Sequence, residues 1–458
     1  MSHDVIVIGA GLAGLHAALT LEAAGLRVCV LEAQARVGGR IHSMRQRGST
    51  AEAGGTYIGG GYTRVIAAAE RHGVPLVDVT PVLEFFREQD LALGSEIIRQ
   101  RDWPTHPRNP FPGPDKQHLP WSYHRVLTMR DNPLRSPEEW LEPKHARLDV
   151  SLRAWLRSLG LSDAAIALAY GLNPSFGRDA DDVSALLLLF RGAFSRSQRA
   201  HAANDSIGLT ARDGVQRIPE AMAGALRGDL LLEHEVAAIS STSASKAATS
   251  TGLEVRCVGG ARFAAAHVVA AVPPGVLRRI AIDPKLPADQ AAAVAEIPSQ
   301  PLTQVYLAPS TPFWEADGFA PSLFTDSRAG MVAAARHRER PGEVTSLTAW
   351  ITGDQAAALD RLAPEDAGRA VIETIERIRP AAAGQLELLG LHSWGADRFA
   401  AGAWAYFRPG DVTRFAGIIG RAHGRLHFCG EHLATANRGM EGAMESAERA
   451  AAEVLASG

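Results

Sequence analysis

An α/β fold, with a doubly wound sheet in one domain and a mixed sheet plus helices in the second, is what this sequence predicts. Three observations carry the prediction. The chain has 458 residues, too many for one compact core, so two domains are expected. Near the start, an apolar run, Val5 to Ile8, leads into a glycine turn, a helix-forming stretch and a second apolar run. Near the end, Arg425 to Cys429 reads as another short strand, followed by Gly430-Glu431 and a glycine-rich turn that opens a helix.

The first unit is the most informative. A continuous apolar run such as Val5-Ile6-Val7-Ile8 fits a central parallel strand buried on both faces. It enters Gly9-Ala10-Gly11-Leu12-Ala13-Gly14, then helix-forming residues from Leu15 to Ala24, with Gly25 as the C-cap. Arg27 to Leu31 is the next buried strand, and it ends in Glu32. This is a Rossmann-like β-α-β unit with its dinucleotide fingerprint. Gly9 permits the tight turn, Gly11 lets the backbone approach a pyrophosphate, and Gly14 allows close helix-strand packing. The helix N-terminus presents unpaired N–H groups and a positive dipole end to phosphate. Glu32 is placed to accept ribose hydroxyls and to repel a 2′-phosphate, which argues against NADP.

The segment after Glu32 separates a flavin from a nicotinamide dinucleotide. Ala35-Arg36-Val37-Gly38-Gly39-Arg40 supplies a second small-residue loop, with Gly39 and the fixed charge of Arg40 available to a pyrophosphate. A nicotinamide site has no need of it. Glu52-Ala53-Gly54-Gly55-Thr56-Tyr57 then offers more bare backbone to a flat ligand at Gly54, Gly55 and Thr56. Together these segments resemble the GxGxxG and RxGGR region of the flavin-containing amine oxidase superfamily, which includes monoamine, polyamine and L-amino-acid oxidases and proteins like 6-hydroxynicotine oxidase.

The resemblance implies an FAD domain assembled from residues 1–85, 205–285 and 385–458. It implies a substrate domain from 86–204 and 286–384. Glu431 would bond the ribityl chain, and the backbone N–H of Met440 or Glu441, in Gly439-Met440-Glu441-Gly442-Ala443, would face the pyrimidine edge of the isoalloxazine. Val236, in Leu231 to Ile239, would hold the adenine. Trp394 opens the family's tryptophan turn, in which mammalian monoamine oxidases carry a flavin-linked cysteine; Ala403 stands there, so non-covalent FAD is expected. Trp404 would form one wall of an aromatic cage for the substrate amine, with Tyr57, Asn173 and Phe176 lining the pocket. Two positions depart from the family. Gln304 stands about where many members carry a lysine bonded to a water beside flavin N5, and Gly439 stands where the second cage aromatic is usual.

The remaining features are plainer. Arg99 to Pro143 is rich in Pro, Arg and aromatics, which favours a packed loop over disorder. Asp163 to Ala200 reads as helix interrupted at Asn173 to Gly177, and Ser240 to Thr251 as an exposed hairpin tip. The formal net charge of −3 favours no nucleic-acid partner. Three dispersed cysteines make neither a disulfide framework nor a metal site. With no run of eighteen apolar residues and no basic leader, no membrane partner and a cytoplasmic location are expected. A homodimer is left open.

The expected reaction is oxidation of an amine. A hydride passes from its α-carbon to flavin N5, the imine hydrolyses, and molecular oxygen is reduced to hydrogen peroxide. The alternatives at this stage are a flavin desaturase or oxidase acting on a carbon–carbon or alcohol substrate, and a flavoprotein that binds without turnover.

Overall fold

The computed structural model describes residues 3–46, 49–83, 88–201, 208–242, 252–337 and 339–457. The first apolar run becomes strand β1 (His3–Ile8), followed by helix α1 (Leu12–Ala23) and strand β2 (Val28–Leu31). All four β2 residues and the last four of β1 are buried, as their uninterrupted apolar sequence requires. Helix α1 begins three residues earlier than its composition alone suggests, so Gly14 lies in its first turn. Gly25, at φ +91°, follows the helix end and takes the left-handed conformation that an L side chain disfavours.

Five strands form the parallel centre of the first sheet. Asp229–Leu231 pairs with β2, β2 with β1, β1 with Arg262–Ala270, and that strand with Leu426–Phe428. The N-terminal half of Arg262–Ala270 also pairs antiparallel with Leu253–Cys257, which extends the sheet through Val236–Ser241 to Ala281–Asp283. Helix α1 packs against the C-terminal helix Gly439–Ala456. Leu15 and Leu21 of α1 and Met444, Ala447 and Ala450 of the C-terminal helix are fully buried in that layer. Each leucine contributes about 1.5–3 kcal/mol by leaving water.

The second sheet has the order Leu386–Ser393, Leu302–Pro309, Val344–Thr352, Met331–Arg336, Ser322–Thr325, Gln89–Leu93, Glu96–Ile98. Its pairings are antiparallel except for Ser322–Thr325 on Gln89–Leu93. It is the mixed sheet expected for the second domain, and helices Pro120–Arg130, Asp163–Gly171 and Ala185–His201 pack together nearby.

Several boundaries differ from expectation. Leu386–Ser393 pairs along Leu302–Pro309, so the segment starting at 385 first contributes an edge strand to the second sheet. Leu231 to Ile239 is two strands, because Glu233 turns the chain at φ +60°. Arg99 to Pro143 is a packed segment built from short 3-10 turns and the helix Pro120–Arg130, with Trp103, Phe111, Tyr123 and Trp140 buried. Most of the expected hairpin tip at Ser240 to Thr251 lies outside the described residues.

Candidate active site

A cavity of about 1630 Å³ runs from the glycine turn after β1 to the inner face of the second sheet. Small-molecule sites usually measure roughly 300–1,000 Å³, so this space suits a large cofactor and a substrate together. All the site residues expected from sequence line it except Gly14. Gly14 is buried behind the turn, where an added Cβ would sit 1.9 Å from the carbonyl oxygen of Gly9. Its part is packing, as the fingerprint requires.

At the first end, Gly9 turns at φ +102° and donates its N–H to Leu31 O at 2.7 Å. Gly11 is the N-cap of α1, with no side-chain cap and no acid in the first turn. The helix therefore presents the N–H groups of Leu12 and Ala13 toward the cavity they line. The nearest atom to a Cβ built on Gly11 is Gly38 O at 3.9 Å, so that side of the glycine is open for a ligand. Glu32 is nearly buried. Its carboxylate accepts from Ala10 N at 2.7 Å and Gln34 N at 2.9 Å. Burial pushes its carboxyl above the ordinary range, while the two backbone N–H groups and Arg36 oppose the shift.

Arg40 ties three segments together. Its Nη1 donates to Glu431 Oε1 at 3.0 Å and to Ala403 O at 3.1 Å, and Glu431 Oε1 also accepts from Ala405 N. Burial works against the Glu431 charge, but Arg40, His432 and the Ala405 N–H outweigh it and hold the carboxyl below its ordinary value. Gly54 leaves no room for a side chain, since a Cβ would lie 2.2 Å from Arg40 O. Trp394 donates from its indole to Ala53 O at 2.8 Å and walls the same place. The C-terminal helix starts at Gly439 with φ +57° and no side-chain cap, and Gly439, Met440 and Ala443 line the cavity. Glu441, in the first turn of this helix, is spent on the start of helix Thr63–Arg71, where it accepts from Arg64 N and Val65 N.

At the far end the walls are aromatic. Trp404 donates to Ser175 O at 3.0 Å and meets the Phe176 ring edge to face at 6.1 Å. Tyr57 is 40% exposed to the open cavity it lines, and the protein around it pushes its phenol up to about 12, so it stays neutral. Gln304, on Leu302–Pro309, is buried, and its amide oxygen accepts the hydroxyl of Tyr306, two residues along on the same face of the strand. Asn173 donates to Trp350 O and accepts from Thr352, which ties the lining loop to the sheet.

Sequence reasoning missed several lining residues. Tyr306 shares the face of Gln304, and the period-2 alternation from Gln304 could have found it. Trp121, by contrast, belongs to the aromatic-rich segment Arg99 to Pro143, whose sequence allows a place at the substrate entrance. It lines the cavity and stacks on Phe324 with ring centroids 4.4 Å apart. Arg125, Arg191 and Arg438 also line the cavity, although in the sequence they are indistinguishable from surface charge. Cys29 and Cys429 are buried, and burial raises both thiols to about 12, so both behave as small apolar groups.

The family described as flavin containing amine oxidoreductase matches residues 12–455 of this sequence. The chain belongs to that family. Among relatives of this flavin-containing amine oxidoreductase, AofH of Mycobacterium tuberculosis (strain ATCC 25618 / H37Rv) is 29% identical over 99% of this chain and 96% of its own length. Amine oxidase [flavin-containing] B of Homo sapiens is 26% identical over 99% of this chain and 86% of its own. A putrescine oxidase solved with putrescine bound superposes with a TM-score of 0.77 at 25% identity, covering 100% of this chain and 99% of that one. Cyclohexylamine oxidase from Brevibacterium oxydans IH-35A, at 22% identity, shares the fold with a TM-score of 0.76. No helix among the described residues is long and apolar enough to cross a membrane.

Proposed function

We propose that this member of the family is an FAD-dependent amine oxidase that holds its flavin without a covalent bond and passes electrons to molecular oxygen. The observation that carries the reading is one continuous cavity, with a dinucleotide cradle at one end and an aromatic chamber at the other. The donor set fits FAD. The bare N-terminus of α1, the open side of Gly11 and the Gly38-Gly39 loop suit a pyrophosphate. Glu32 suits ribose hydroxyls, Glu431 the ribityl chain, and the backbone at Val236 the adenine. Ala403 offers no thiol to a flavin methyl group. When bound, FAD supplies the two-electron acceptor for the hydride leaving the amine's α-carbon.

The protein's share is positioning and desolvation. Trp404, Phe176 and Tyr57 give the amine flat walls. An ammonium loses hydration in such a chamber, so burial favours the neutral amine, the form with a free lone pair. Tyr57 is held neutral and adds no charge. The Gln304 amide, oriented by Tyr306, is a neutral group able to hold a water near the reacting atoms. The bare N-terminus of Gly439–Ala456 favours negative charge developing beside it. The peroxide formed with a panel of amines, alongside anaerobic bleaching of the flavin bands, tests the reading. Bleaching by amines with peroxide on readmission of air supports it, and bleaching only by a non-amine overturns it.

A further inference from the structure

Arg125 lies on helix Pro120–Arg130, Arg191 on helix Ala185–His201, and Arg438 is the N-cap of the C-terminal helix. All three line the cavity. Arg191 and Arg438 both sit over the Phe176 ring, with their guanidinium carbons 5.7 and 4.9 Å from its centroid. Phe176 in turn meets Trp404, so the cluster flanks the chamber assigned to the amine. Among the described residues, none of the three guanidinium groups has a hydrogen-bond or ion-pair partner, and Arg191 Nη1 is buried without one. The carboxylate that acts on Arg438 is Glu431, which is already paired with Arg40.

Three guanidinium groups on one cavity wall, unpaired among the described residues, favour an anionic partner between them. Arg191 and Arg438 are half-buried and meet Phe176 by cation–π contact, which does not offset the mutual repulsion of three like charges on one wall. The strain registers in the groups themselves. Arg125 is exposed to the cavity it lines, yet the crowding of protein around it, and then the charge of Arg191, lower it to about 9. Burial lowers Arg438 to about 10, with Arg191 adding to the shift and Glu431 opposing it. Guanidinium forks match planar and tetrahedral oxyanions, and a cluster of three exceeds what one carboxylate neutralises.

Resting on the amine-oxidase reading, we propose that the substrate is an amine bearing an oxyanion group, a dicarboxylate or a phosphomonoester, held by Arg125, Arg191 and Arg438 beside Phe176. The anion fixes one end of the substrate and leaves the amine to reach the chamber between Trp404 and Tyr57. This assigns selectivity to the helical wall and accounts for a site that lacks the second cage aromatic at Gly439: orientation comes from charge at the far end.

The test uses the flavin-loaded enzyme and has two readouts. In the first, binding of phenylacetate, inorganic phosphate and phenylacetamide is followed by perturbation of the flavin absorbance. The two anions are expected to bind, more weakly at high salt, and the amide to bind at least tenfold more weakly. Arg191→Met and Arg438→Met are expected to weaken anion binding at least tenfold, and Arg191→Lys is expected to recover part of it. In the second, kcat/KM is compared across amines of one carbon skeleton with a neutral, a singly charged and a doubly charged far end. The doubly charged member is expected to lead, and its advantage to shrink at least tenfold in the methionine variants. Equal binding of amide and anions, or anion binding unchanged in all three variants, overturns the proposal. Anion binding without flavin reduction by any amine overturns the amine-oxidase reading alone. Amine turnover with no anion binding overturns the anion site alone.

Discussion

Replacing Arg40 with methionine tests the tie that joins the N-terminal loop to the two C-terminal segments. The substitution removes a cation 3.0 Å from Glu431 Oε1 and 3.1 Å from Ala403 O. Arg40 and Glu431 retain only 24% and 12% of their side-chain exposure. An exposed pair contributes about 0–1 kcal/mol, whereas breaking a fully buried pair costs about 3–5 kcal/mol. These exposures put the pair nearer the buried limit, so Arg40→Met should cost about 2–3 kcal/mol. A chain of 458 residues unfolds with an entropy of about 1 kcal/mol/K at about 2.1 cal/mol/K per residue. The loss should therefore lower the melting temperature by about 2–3 °C. Glu431→Gln keeps the acceptor for Ala405 N and removes the charge, and Arg40→Met with Glu431→Gln completes a double-mutant cycle. A coupling of about 1.5 kcal/mol or more is expected by thermal melting of the flavin-loaded protein. Single effects that add to within about 0.5 kcal/mol would refute a shared ion pair.

Four further outcomes rest on the same geometry. Gly11→Ala should fold with a melting temperature within about 2 °C of the parent yet hold flavin at least tenfold more weakly, because its Cβ meets no protein atom closer than 3.9 Å; Gly14→Ala, with 1.9 Å to Gly9 O, should fail to accumulate as folded protein, and the reverse pattern in purified yields and flavin titrations would contradict both. His432 is driven down to about 4, chiefly by burial, so the fold keeps it neutral: stability is undiminished above its ordinary value of 6.5 and falls as pH drops from there toward 4, by about 2 kcal/mol at pH 5. Glu431, held low, begins to lose its contribution as pH falls below its ordinary value of 4.5. His432→Gln should therefore make the limb above pH 5 shallower by about 2 kcal/mol in pH-dependent melts and leave the share of His124, His267 and His392, which burial also lowers; an unchanged limb would contradict this. The rate of flavin reduction in stopped flow should fall as pH drops and the amine protonates, and a flat acidic limb would count against the neutral amine. Cys29 and Cys429 should resist thiol reagents until the chain unfolds, since burial holds both near 12, and labelling of the native protein would contradict this.

The parts of the molecule that can be read from sequence are those whose physics is local. Gly9 and Gly14 are set by a turn and a helix-strand contact a few residues apart, and β1 and β2 by unbroken apolar runs. Leu386–Ser393 reads as part of the other domain because an edge strand's neighbour lies some eighty residues away, and nothing in its own alternation names it. The bend at Glu233 is hidden because a left-handed glutamate has no sequence signature. Arg125, Arg191 and Arg438 come from three helices that only the tertiary fold brings together. The one local hint is Arg191, directly after the apolar run Ala185 to Phe190, where a surface charge would be out of place.

The central claim is that this cavity holds a flavin which amines reduce. An anaerobic spectral titration of the purified protein tests it most directly. Visible flavin bands are expected that bleach fully with one equivalent of amine substrate per flavin and return with air. A colourless protein that takes up no FAD, or bands that no amine bleaches, would contradict it.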